Sequence, residues 1–333
     1  MTAIDNTEYA PLKRRLEQHH EQFSPIYQGY LSDHGPMATL ALIGLGASAE
    51  VAGAFLDQYQ KRLEPLSRAA PEYREKLSDL RQDIAQFGTG ALLHRELPAL
   101  ISGWPRDAYH PLIRIAFGYE FDIPQEVAAG LAYLRWRGAD PKLIRLAEQM
   151  PQSGSEDRAG RADREEPFDA DRAFRAMSGC ATTVTPQRNF NACLTSVTTH
   201  LNFSAAASAT LVQSRTLSRQ ALAVFDATHD FFALHLVTGA HAYRMLSQFA
   251  GELQQPIFTL GLLAGYAAIG APEYQSPDKQ PASVRLPVSR PSIGWLELIG
   301  EDEHRIKLAY SAMRQTEYWS DPAYALTARR YLR

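Results

Sequence analysis

The sequence predicts an all-α fold: a multi-helix bundle enclosing a central cavity, with little or no sheet. Apolar residues recur at spacings of three and four over long stretches. Helix-opening and helix-closing residues stand at the ends of those stretches. Alternation of period two is scarce.

Taken in order, Ser48 is placed to cap a helix running through AEVAGAFLDQYQKRL, with Val51, Phe55 and Tyr59 at spacing four. Gly46 is placed to close the turn before it. A second amphipathic helix is expected over residues 72–87, with Leu77, Leu80 and Ile84 on one face. Pro124 is suited to the first turn of a third, which runs to Arg137 and ends at Gly138. Residues 205–249 hold one or two long helices, and residues 303–315 form the last clear one. Two stretches read as irregular insertions. Residues 151–167 are charged and bracketed by proline, and residues 271–292 carry five prolines. The chain otherwise reads as one helical domain over residues 1–333, with no tandem repeat.

Composition excludes several function classes. Lys plus Arg is 34 and Asp plus Glu is 37, so the formal net charge of −3 gives no global pull toward nucleic acid or anionic membrane. No apolar run reaches the roughly 18 residues of a membrane span. The first 20 residues carry no signal-like apolar core, so a cytoplasmic location is expected. The 2 cysteines, Cys180 and Cys193, are too few for a disulfide framework and read as buried thiols. Nucleophile elbow, P-loop, paired CxxC and HExxH motifs are all missing. The segment Gly44-Leu45-Gly46-Ala47-Ser48-Ala49 matches a dinucleotide-binding signature. It lacks a preceding strand and a following one, so it reads as a tight turn between helices.

The chemistry-bearing residues are the histidines, of which there are 10. His229, His235 and His241 are spaced by six. On one helix that spacing turns successive side chains about 120° apart, so at most one faces a given site. His235 lies in the apolar run FFALHLV and must be buried with a partner; a core histidine bonded to a neighbouring group is the plainer reading. His304 and Lys307 share a helix face, either as a solvated pair or as part of a site. A lysine ammonium has only donors, so it binds a metal only as the neutral amine or after carbamylation. His34 stands at the entrance of the apolar helix over residues 35–45. His110 precedes Pro111 at another helix start. Either can cap a helix or present its ring to a cavity.

Four segments in order resemble the questin oxidase-like family: SDHGPMATLALIGLGAS (residues 32–48), YHPLIRIAFGYEF (109–121), FFALHLVTGAHA (231–242) and EDEHRIKLAYSAM (301–313). The resemblance spans residues 15–315. It implies oxidative chemistry on polycyclic aromatic, quinone-like polyketides with molecular oxygen and, in many descriptions, reduced nicotinamide cofactor (NADPH). It carries over to His34, His110, His235, His304 and Lys307 as ligands of non-haem iron or another divalent metal. The family often has histidine where this chain has Arg114. Arg114 and Glu120 are therefore candidate catalytic groups; Arg114 can pair with an anionic substrate or with Glu120. Tyr27, Tyr30, Phe117, Tyr119, Phe231 and Phe232 lie near the motifs and suit an aromatic-lined pocket for a small aromatic substrate. The competing expectations are a metal-free NADPH-dependent oxidase of Baeyer–Villiger type and a non-catalytic helical small-molecule-binding protein.

Overall fold

A computed structural model describes residues 7–150, 170–182, 189–200, 202–203, 214–277 and 294–333. The expected insertion at 151–167 lies outside the described residues, as does 278–292 of the second; residues 271–276 carry no regular element.

Among the described residues there are sixteen α-helices. They are α1 (Ala10–Gln22), α2 (Gly35–Gly44), α3 (Ala49–Gln60), α4 (Pro71–Phe87), α5 (Thr89–Leu100), α6 (His110–Glu120), α7 (Pro124–Arg137) and α8 (Pro141–Gln149). There follow α9 (Ala170–Ala176), α10 (Phe190–Thr199), α11 (Ser214–Thr228), α12 (Phe231–Leu246), α13 (Gln254–Ala268), α14 (Trp295–Ile299), α15 (Glu303–Trp319) and α16 (Ala323–Leu332). The described sheet is one antiparallel pair, β1 (Ile26–Tyr27) with β2 (Leu31–Ser32). The all-α expectation holds. No described helix is long and apolar enough to cross a membrane.

The local rules operate as expected at several ends. The Ser48 hydroxyl accepts from the Val51 N–H and caps α3, and Gly46 takes φ +94° in the turn before it. The would-be dinucleotide segment is thus the α2–α3 turn. Gly138 closes α7 at φ +80°. Leu77, Leu80 and Ile84 form the buried stripe of α4, joined by Tyr73. Two readings need correction. On α3 the buried face is Ala52, Leu56 and Tyr59, while Val51 is exposed, because the helix turns its Ala52 edge to the core. His229, His235 and His241 do not share one helix. α11 ends at Thr228, His229 takes φ +49°, and Asp230 starts α12, its carboxylate accepting from the Phe232 and Ala233 N–H groups.

The core runs from Leu12 to Leu332 as one contiguous cluster of buried apolar side chains. Within it, four elements close a ring: α2 packs on α6, α6 on α12, α12 on α15, and α15 on α2. Glycine permits the tightest of these approaches. A Cβ on Gly44 would lie 2.2 Å from the Tyr310 ring of α15. Each of these four helices carries one candidate histidine at or near its N-terminal end.

Candidate metal centre

Each histidine arrives by a different local device. His34 is the residue before α2, where it occupies the cap position while its side chain makes no bond to the helix. Its backbone N–H donates to the Tyr59 hydroxyl at 3.0 Å. His110 opens α6 after three successive left-handed residues, Asp107, Ala108 and Tyr109. Such backbone costs energy and persists only where neighbours over-determine it. Here Arg137 pairs with Asp107, the Asn191 amide donates to Asp107 Oδ1 at 2.8 Å, and a Cβ on Gly239 would lie 2.6 Å from the Tyr109 ring. His235 sits one turn into α12. His304 is the second residue of α15, whose cap Asp302 accepts from the His304 and Arg305 N–H groups at 2.9 Å. Lys307 follows three residues later on the same face.

The four imidazoles meet. His34 and His110 ring centroids are 4.5 Å apart, His34 and His304 4.5 Å, His110 and His235 4.7 Å, and His235 and His304 5.3 Å. His34, His110 and His304 each offer a nitrogen within 4.8 Å of the others, so these three histidines can hold a metal ion. Metal–imidazole bonds are about 2.1 Å, so the rings need close only slightly around an ion. Lys307 is fully buried, with its Nζ 2.6 Å from His34 Nδ1. Two open clefts, of about 510 and 420 Å3, are lined by other residues.

The hydrogen bonds fix the tautomers at two rings. His235 Nδ1 lies 2.7 Å from the Phe231 carbonyl, and His110 Nδ1 contacts the Asp107 carbonyl. A carbonyl only accepts, so both Nδ1 atoms carry the proton. In the neutral rings both Nε2 atoms then present lone pairs. Those atoms face each other at 3.1 Å. Two facing lone pairs repel unless a cation lies between them, and two nitrogens at right angles on one ion lie about 3.0 Å apart. His304 Nε2 adds a buried nitrogen with no hydrogen-bond partner. His34, His110 and His304 therefore fit a metal, with His235 Nε2 beside them, 3.1 Å from His110 Nε2.

Electrostatics point the same way. Burial, followed by the Lys307 charge, pushes His235 down to about 3. Burial also holds His34, His110 and His304 well below the ordinary imidazole value. All four stay neutral, which is the ligating form. Burial pushes the Lys307 amine down to about 7, so much of it is uncharged at neutral pH.

Arg114 and Glu120 do not pair with each other. Arg114 points behind the cluster, donating to the Asp33 carbonyl at 2.8 Å and pairing with Asp33 Oδ2 at 3.0 Å and Glu126 Oε1 at 3.1 Å. Burial opposes its charge, but Glu126 and Asp33 outweigh it and hold the guanidinium protonated. Glu120 pairs with Arg314 at 2.8 Å. It lies ten residues along α6 from His110, about 15 Å down the axis. Sequence reasoning missed what flanks Arg114: His19 reaches Asp33 Oδ2 at 2.7 Å and His20 reaches Glu126 Oε2 at 2.5 Å. Their signal was two adjacent histidines on an amphipathic helix with acidic partners far away in sequence. His241 faces elsewhere, its Nδ1 3.1 Å from the Ser311 hydroxyl, as six-residue spacing from His235 requires.

Fold and site together define an all-helical protein with a buried imidazole cluster able to bind a metal ion. The family model described as questin oxidase-like matches residues 31–312. The chain belongs to that family, which places it among the oxidoreductases. No curated protein matches the chain.

Proposed function

We propose that the protein is a metal-dependent oxygenase acting with molecular oxygen on polycyclic aromatic, quinone-like polyketide substrates. The observation that carries this reading is the pair of opposed lone pairs on His110 and His235, 3.1 Å apart in a water-poor interior. In this reading His34, His110, His235 and His304 hold the ion, and Lys307 completes the set as a neutral amine or as a carbamate. An imidazole-rich set suits iron and equally admits zinc or copper by donor type alone. A redox-active ion such as iron, when bound, supplies the electron exchange that oxygen chemistry needs. The chain's own residues do the rest. The Asp107 and Phe231 carbonyls hold two rings in the ligating tautomer. Arg114 fixes the Asp33 backbone next to His34 and so acts as a positioning residue. Glu120, tied to Arg314, has no part at the reacting atoms. Gly44–Ala49 is a helix–helix turn rather than a nucleotide cradle, so a reductant such as NADPH does not bind there in the Rossmann manner.

The test is oxygen uptake with a hydroxyanthraquinone, with and without NADPH, on protein stripped by chelator and reloaded with iron(II). Uptake restored only by reloading supports the reading. Uptake that survives stripping favours metal-free chemistry instead.

A further inference from the structure

The cluster is not equally shielded on all sides. His34, His110, His235 and Lys307 are buried. His304 is the most exposed of the four imidazoles, at 16% of its side chain. Phe231, 48% exposed, is a large apolar side chain in ring contact with the cluster. Its ring centroid lies 4.8 Å from His235 and 4.6 Å from His304, tilted by 54° and 60°. It also meets Phe232 edge-on at 5.1 Å and 87°. Three rings therefore brace one flank of Phe231, and much of the rest faces solvent.

A single exposed phenylalanine is ordinary on a protein surface. Phe231 differs in being held in place. It is the first residue of α12, directly after the cap Asp230, whose carboxylate anchors the next two N–H groups. Its carbonyl accepts from His235 Nδ1. Its position is thus tied to the ring that would ligate. Of the other aromatics near the motifs, Tyr27, Phe117 and Phe232 are buried in the core, Tyr119 packs on Phe249, and Tyr30 is as exposed as Phe231 but is not anchored at the start of α12.

We infer that Phe231 is the substrate platform at the mouth of the histidine cluster, where a flat, fused-ring ligand stacks as it approaches from the His304 side. This rests on the proposed function, and it adds the direction of access and the residue that selects planar aromatic ligands. Aromatic rings recognise one another face to face or edge to face beyond simple area burial, so a planar quinone gains more here than a saturated ligand of equal size.

The probe is 1,8-dihydroxyanthraquinone, titrated into the full chain and followed by quenching of tryptophan fluorescence. Wild type binds, and Phe231→Ala and Phe231→Leu each raise Kd about two- to tenfold, the range expected for one lost ring contact. Phe231→Trp stays within about twofold of wild type. Phe87→Ala, which removes an equally exposed ring from the end of α4, leaves Kd unchanged. Metal content, measured on each variant, stays at the wild-type value, because the Phe231 side chain ligates nothing. Equal Kd in wild type, Phe231→Ala and Phe231→Leu overturns the platform while leaving the oxygenase reading standing. Equal losses in Phe87→Ala also overturn it, since binding would then follow general surface apolarity. A wild-type protein that holds metal but binds no anthraquinone removes the quinone substrate class and the platform with it.

Discussion

At the scale of single residues, the centre depends on which nitrogen carries the proton. The Phe231 and Asp107 carbonyls hold His235 and His110 with Nε2 free, and their burial keeps them neutral. A pH dependence follows with a definite sign. These histidines, with His20, His34, His241 and His304, have folded-state values below the unfolded imidazole value of 6.5. A depressed value means the unfolded chain takes up protons first. The stability they contribute is complete above pH 6.5 and drains away as pH falls toward the folded values. Lys307, lowered to about 7 in the fold, acts in the same direction at higher pH. The melting temperature of metal-free protein should therefore drop steadily between pH 7 and pH 5, in scans at matched ionic strength. A flat or rising profile over that window would show that the rings are not buried and neutral. Lys307 gives a second expectation. If its neutral amine captures carbon dioxide, metal loading in buffer purged of carbon dioxide falls and bicarbonate restores it, whereas Lys307→Met shows no response to bicarbonate.

At the scale of elements, two helix starts carry the site. Asp230 caps α12 and Asp302 caps α15, each accepting two backbone N–H groups. Replacing either by alanine should cost about 1 kcal/mol, read as a lowered denaturant midpoint. Metal affinity should fall as well, because the frayed turn holds Phe231 and His235 in one case and His304 in the other. An unchanged metal affinity in both variants would detach the centre from its caps. These elements also show what could be read in advance. Ser48, Gly46, Pro124 and Gly138 act through local backbone rules, so α3 and α7 were legible from sequence. The break at His229 was not, because His229 needs a left-handed backbone that no glycine announces. The exposed Val51 was missed for a related reason. Val51 and Ala52 are both apolar neighbours, and tertiary packing alone decides which edge turns inward.

At the scale of the whole molecule, α2, α6, α12 and α15 close a ring, and the ring brings together histidines as far apart in the chain as residues 34 and 304. Their convergence was legible only through the resemblance, since each histidine alone reads as a capping or core residue. The role of Arg114 was illegible for the opposite reason. Its partners Asp33 and Glu126, with His19 and His20 behind them, come together only in the folded chain. A ring closed on a metal ion should also be stabilised by that ion. Reloading at a concentration of about one hundred times Kd adds roughly 2.7 kcal/mol, visible as a rise of several degrees in melting temperature. The most direct measurement is elemental analysis of freshly purified protein alongside His34→Ala, His110→Ala, His235→Ala and His304→Ala. Close to one bound metal ion per chain is expected in wild type, with large losses in at least three of the four variants. Wild-type metal content in all four variants, or a wild-type chain that takes up neither iron nor zinc, would contradict a shared metal centre.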